Sequence, residues 1–116
     1  MNLGVVGSRG FNDRELMFEI LDVIEPFVLI SGGAVGADSL AEEYANLHQY
    51  GKIIHLPDWH THGKSAGFIR NKSIVEDSDL VLAFWDGISN GTKSTIALCR
   101  KLGVPVEIIF YLPLKV

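Results

Sequence analysis

A chain of 116 residues with a formal net charge of −4 and 47% hydrophobic residues is long enough for one domain with a real core, and too apolar to stay disordered. Its acidic balance argues against binding duplex nucleic acid through a broad basic face. The single cysteine, Cys99, rules out an intrachain disulfide, suits a reducing, cytoplasmic setting and reads as a small buried hydrophobe rather than a nucleophile.

Taken in order, Met1-Asn2-Leu3 enters a strand without a basic leader, and no apolar run nears membrane-spanning length. Leu3-Gly4-Val5-Val6 reads as the first strand and Gly7-Ser8-Arg9-Gly10 as a glycine-rich turn. Asn12 is placed to cap a helix that carries Asp13 and Glu15 in its first turn and Leu16, Ile20 and Ile24, beside Met17 and Leu21, on one face. Pro26 ends it. Phe27 to Ile30 reads as a buried strand, followed by Ser31-Gly32-Gly33-Ala34-Val35-Gly36-Ala37-Asp38.

Paired glycines let the backbone turn sharply and let a ligand approach closely, and the helix expected over Asp38 to His48 would point unpaired N–H groups at an anion. The stretch matches neither the dinucleotide fingerprint nor the lysine-ended phosphate loop. Taken alone, it is equally a turn that packs a helix on a sheet. That helix is expected to bury Leu40, Tyr44 and Leu47 beside Ala41 and Ala45, with Gly51 as its stop and Lys52 to Leu56 as the third strand.

Pro57 to Gly67 is the least regular segment and holds Asp58, Trp59, His60, His62 and Lys64. Phe68 to Asp77 reads as a short helix with Arg70, Asn71 and Lys72 near its start, where cations oppose the helix dipole. An anion held between that helix start and Arg70 would account for them; a solvated basic turn is the alternative. Leu80 to Trp85 has the continuous apolar character of a central strand. Asp86-Gly87-Ile88-Ser89-Asn90-Gly91-Thr92 then leads to a helix over Lys93 to Leu102, closed by Gly103, and Val104 to Tyr111 supplies the last strand.

This alternation predicts a single α/β domain over residues 1–116. Its sheet is doubly wound and Rossmann-like, with five mainly parallel strands in the order 3-2-1-4-5 and helices on both faces. The turns after strands 1, 2 and 4 then open together at the carboxyl edge, where such sheets bind ligands. Of ten basic residues, Arg9, Lys64, Arg70, Lys72 and Lys93 fall at or beside that edge, which points to an anion. Asp38 and Asp86 can accept ribose hydroxyls or cap their turns, Ser89 and Thr92 can donate to phosphate or cap a helix, and Trp59 can stack on a base or pack its loop. His60 and His62 lack a third metal ligand at convincing spacing, so no metal site is assigned. His48 and His55 read as packed or capping imidazoles.

Gly7-Ser8-Arg9, Ser31 to Asp38, Gly63-Lys64-Ser65-Ala66-Gly67-Phe68-Ile69-Arg70-Asn71 and Phe84-Trp85-Asp86-Gly87-Ile88-Ser89-Asn90-Gly91-Thr92 together resemble the YspA-like (cpYpsA-related) branch of the SLOG superfamily, which takes its name from DprA (Smf) and Lonely Guy. The resemblance runs from the first strand to the fifth. It implies a Rossmann-like fold with a site for nucleotides or nucleotide-derived ligands, used elsewhere in the superfamily for ligand sensing, phosphoribohydrolysis or single-strand DNA binding. Gly32, Gly33 and Gly36 match the first glycine motif, Gly91 and Thr92 the second, and Arg70 the place of an arginine used by the hydrolases. The hydrolases follow their Gly-Thr with glutamates, where this chain has Lys93-Ser94-Thr95.

The resemblance thus implies a nucleotide-ligand-binding domain, a sensor or nucleotide-handling module, with an N-glycosidic phosphoribohydrolase and a DprA-like single-strand binder as alternatives. The ligand-binding set expected is Gly7, Ser8, Arg9, Ser31, Gly32, Gly33, Gly36, Ala37, Asp38, Trp59, Lys64, Arg70, Asn71, Asp86, Gly87, Ser89, Gly91 and Thr92. No catalytic residue, cofactor or membrane partner is assigned, and self-association is left open.

Overall fold

The continuous apolar runs form parallel strands whose hydrogen bonds need partners on both sides, and the amphipathic segments between them cover the two faces. The computed structural model describes residues 1–26 and 28–112. In chain order the elements are β1 (Asn2–Gly7), α1 (Arg14–Ile24), β2 (Val28–Ser31), α2 (Ala37–His48), β3 (Gly51–Ile54), α3 (Trp59–His62), a 3-10 turn (Gly63–Ser65), α4 (Ala66–Asp77), β4 (Leu80–Trp85), α5 (Asn90–Leu102) and β5 (Val106–Phe110). All neighbouring strands pair in parallel, in the order β3-β2-β1-β4-β5, which is the expected doubly wound sheet. Phe27, with which the second strand was expected to begin, lies outside the described residues.

Alternation along the strands divides the core in two. Leu3, Val5, Leu29, Leu82 and Phe84 face α1 and α2, where Met17, Leu21, Ala41, Tyr44 and Ala45 pack on them. On the opposite face Val6, Ile30, Val81 and Ala83 meet Ile74 and Val75 of α4 and Ile96, Leu98 and Cys99 of α5. The central strands β1 and β4 are covered on both sides, whereas all four residues of β3 are exposed at the edge. Burial pushes the Cys99 thiol above its usual range. No helix among the described residues is long and apolar enough to cross a membrane.

Several local expectations are corrected. Asp13 rather than Asn12 caps α1, its carboxylate accepting from Leu16 N–H at 3.1 Å, because the aspartate sits three residues ahead of that orphan donor. α2 is stopped by Gln49, which takes a left-handed conformation (φ 57°) while Tyr50 N–H reaches back to Ala45 O; Gly51 instead begins β3. Leu47 is 59% exposed rather than buried, since α2 turns Ala37, Ala41, Tyr44 and Ala45 to the sheet. The irregular segment contains α3, capped by the Asp58 carboxylate on Thr61 N–H. Helices α4 and α5 start two and three residues earlier than their apolar periodicity announced, at Ala66 and Asn90. Gly91 and Thr92 therefore lie inside a first helical turn.

Candidate functional site

β1 ends where Ser8 N–H donates to Phe84 O, 3.1 Å away, which carries the β1 turn across to β4. Gly36 packs directly beneath that turn. Its φ is +85°, and a Cβ there would fall 2.6 Å from Arg9 O and 2.7 Å from Ser8 O, so only glycine allows the two turns this approach.

The Gly32–Gly36 turn is braced from inside. Asp38, 6% exposed, accepts on its Oδ2 from Gly32 N–H (3.0 Å) and Ala34 N–H (3.2 Å). Ser39 Oγ–H donates to Ala34 O at 2.9 Å. Arg70 reaches over from α4 and donates from Nη1 to Gly32 O (2.8 Å) and from Nε to Asn71 Oδ1 (2.8 Å). The guanidinium lies so close over Gly32 that a Cβ there would sit 2.5 Å from Nη1. Burial raises the Asp38 pKa above its ordinary 3.8, against the opposing pull of the two amides and of the Arg70 charge. Burial also lowers the Arg70 pKa from its usual value, though a guanidinium remains charged.

The turn after β4 is organised differently. Asp86 Oδ1 accepts from Ser89 N–H (2.8 Å) and Ile88 N–H (2.9 Å), and those two amides hold its carboxyl below the usual range. Trp85 Nε1–H fixes Ser89 O at 3.0 Å. The Ser89 hydroxyl lies 3.0 Å from both Asp86 oxygens and 2.7 Å from Ser8 Oγ. Hydroxyls thus tie the first turn to the third. Ser89 is the N-cap of α5 but makes no side-chain cap bond, and the first backbone donor of the helix to be used is Lys93 N–H, on Ser89 O. The N–H groups of Asn90, Gly91 and Thr92 have no partner among the described residues, as the first turn of a helix leaves them.

These groups meet around one cavity of about 440 Å³, within the range of small-ligand sites. Gly7, Ser8 and Arg9 line it from the first turn, Asp38 from the second, Arg70 and Asn71 from α4, and Asp86, Ser89, Gly91 and Thr92 from the third. Eight expected residues stand outside the lining. Gly32, Gly33 and Gly36 lie under Arg70, Leu56 and the first turn respectively, Ala37 is buried, and Ser31 is buried with its Oγ unpartnered. A Cβ at Gly87 would meet open space, Lys64 is exposed in the 3-10 turn, and Trp59, 55% exposed, reaches to 3.5 Å from where a Gly67 Cβ would stand. Val6, Gly10, Ala34, Ile74 and Thr95 also line the cavity and were not anticipated. Spacing could have found Thr95 and Ile74, four residues after Gly91 and Arg70 on the same helix faces.

His60 and His62 are exposed on α3, and among the described residues no group of three His, Cys, Asp or Glu side chains is placed to share a metal. His55 pairs with Asp77 at 2.6 Å, beside the sheet edge.

The model of the YspA, cpYpsA-related SLOG family (YAcAr) matches residues 2–62. The Gene 61 protein of Mycobacterium phage D29 is 37% identical over 113 residues, an alignment covering 88% of this chain and 90% of the phage protein. Among solved structures, DNA processing protein A from Helicobacter pylori, described for its single-stranded DNA binding mode, superposes with a TM-score of 0.74 at 21% identity, over 93% of this chain and 64% of that one. DprA from Streptococcus pneumoniae superposes with a TM-score of 0.81 at 20% identity, over 98% of this chain and 52% of that one. At such identities the likeness shows the fold. This chain also spans less than two thirds of either solved chain.

Proposed function

The chain belongs to the YspA, cpYpsA-related SLOG family, and on that premise we propose that its cavity binds the phosphate of a nucleotide or nucleotide-derived small molecule, as a sensing or nucleotide-handling module. The observation that supports this most is the start of α5, where Gly91 and Thr92, whose N–H groups have no partner among the described residues, line a cavity also lined by Arg9 and Ser8. A helix N-terminus with free amides and a nearby cation favours phosphate through hydrogen bonds and dipole together.

A second reading, a single-stranded nucleic-acid binder, is favoured by the fold shared with a protein described for binding single-stranded DNA. Strand binding ordinarily uses a basic groove with rings on which bases stack. The cavity lining contains no aromatic residue, and the chain carries a net −4. The geometry therefore favours a small ligand. Isothermal titration with nucleoside mono- and diphosphates on one side, and with a single-stranded oligothymidylate on the other, separates the two. Saturable one-to-one binding of a mononucleotide, weakened by Arg9→Ala, is expected. Binding of the oligonucleotide alone would overturn the proposal in favour of the strand reading, and release of free base from a bound nucleotide would establish an enzyme.

A further inference from the structure

Both donors that satisfy Asp38, Gly32 N–H and Ala34 N–H, converge on a single oxygen, Oδ2. Oδ1 receives no hydrogen bond and no ion pair from any described residue. It is nonetheless not sealed in, because Ser31 Oγ is the only fully enclosed, unpartnered side-chain oxygen or nitrogen among the described residues. Asp38 lines the cavity while 6% exposed, and Oδ1 keeps a share of that small exposure. A carboxylate oxygen there repels phosphate and can only accept. Burying it without a donor is costly.

The cavity is therefore chemically two-ended, with free amides and Arg9 for an anion and an unsatisfied acceptor for a hydroxyl or amine. A sugar phosphate carries both kinds of group. We propose, resting on the nucleotide reading above, that Asp38 Oδ1 accepts a ribose hydroxyl, so that the site selects mononucleotides with a free ribose diol. A DNA strand offers neither hydroxyl, since its 2′ carbon carries hydrogen and its 3′ oxygen is esterified. Asp38 is thus a specificity-determining residue as well as the brace of its own turn.

The test uses the full chain and calorimetry with the four ribonucleoside 5′-monophosphates, followed by the 2′-deoxy and 3′-deoxy forms of whichever binds most tightly. Loss of at least one hydroxyl should weaken binding by roughly tenfold or more, the scale of a hydrogen bond to a charged acceptor. Asp38→Asn retains an acceptor oxygen for the two amides but presents an NH2 group to the ligand, and it should erase that discrimination. Equal binding of all three sugars by the wild-type protein overturns the role of Asp38 and leaves the nucleotide reading standing. So does discrimination that survives in Asp38→Asn. Failure of every nucleotide to bind removes both. Should the variant not fold, the wild-type sugar series still decides.

Discussion

Two glycine turns at the same sheet edge spend their hydrogen bonds in opposite ways. In the β2–α2 turn, the Gly32 and Ala34 amides go to Asp38, the Gly32 carbonyl to Arg70 and the Ala34 carbonyl to Ser39. A carboxylate of the chain itself thus uses two amides that an anion would otherwise need. In the β4–α5 turn, Asp86 accepts from the two amides ahead of the helix, and those of Asn90, Gly91 and Thr92 have no partner among the described residues, Gly91 and Thr92 lining the cavity. Glycine richness announces close backbone approach, and only the fate of each N–H says whether an anion can bind.

The widest separation is expected between glycines. Gly36→Ala forces a side chain into a φ of +85° and to within 2.6 Å of a backbone oxygen, which should cost about 3 kcal/mol or more in urea unfolding. Gly91→Ala meets open space without a positive φ and, in the first turn of α5, should leave stability unchanged or raise it by less than about 0.5 kcal/mol. Equal stability of the two variants would erase the contrast between the turns.

Arg70 comes next. It is half-buried, lines the cavity and spends Nη1 and Nε on Gly32 O and Asn71 Oδ1, so it braces the turn with no ligand present. Arg70→Ala leaves the Gly32 carbonyl short of its donor and should lower unfolding stability by about 1–3 kcal/mol. A thermal melt unchanged from wild type would mean that the brace is dispensable.

Arg9 is exposed, lines the cavity and has no partner among the described residues. Arg9→Ala should keep stability within about 0.5 kcal/mol of wild type while weakening nucleotide binding roughly tenfold, as read by titration. A loss of stability as large as that of Arg70→Ala would assign Arg9 to the scaffold instead.

Much of the scaffold was legible beforehand. The apolar run Leu80 to Trp85 announces a strand covered on both faces, and its observed place between β1 and β5 is the one that the expected order 3-2-1-4-5 assigns it. What stayed illegible depends on distance or on conformation. Arg70 and Gly32 are 38 positions apart, so nothing in either segment says that one will roof the other. Gln49 ends α2 by adopting a conformation usually left to glycine, which drew the expected stop to Gly51. Asp38 could be read as cap or ligand acceptor, and its two oxygens have separate environments that only the folded turn creates.

The smallest expected effect concerns acid. Asp38 and Asp86 share the cavity, yet burial raises the pKa of the first above 3.8 and the Ser89 and Ile88 amides lower that of the second. For Asp38 the protonated form is favoured by folding, so its contribution is fully present below 3.8 and is lost as pH rises through the raised value. For Asp86 the ionised form is favoured, so its contribution is present above 3.8 and disappears as pH falls through the lowered value. Asparagine at either position removes the titration. Measured by urea unfolding across a pH series, the stability of Asp38→Asn relative to wild type should therefore improve as pH rises from 3.8, once wild-type Asp38 begins to ionise in its buried setting. The relative stability of Asp86→Asn should worsen as pH rises toward 3.8, because wild type then gains an ionised carboxylate that its amides favour. Opposite slopes would mark one carboxylate governed by burial and one governed by its amides, and slopes of the same sign would dissolve that distinction.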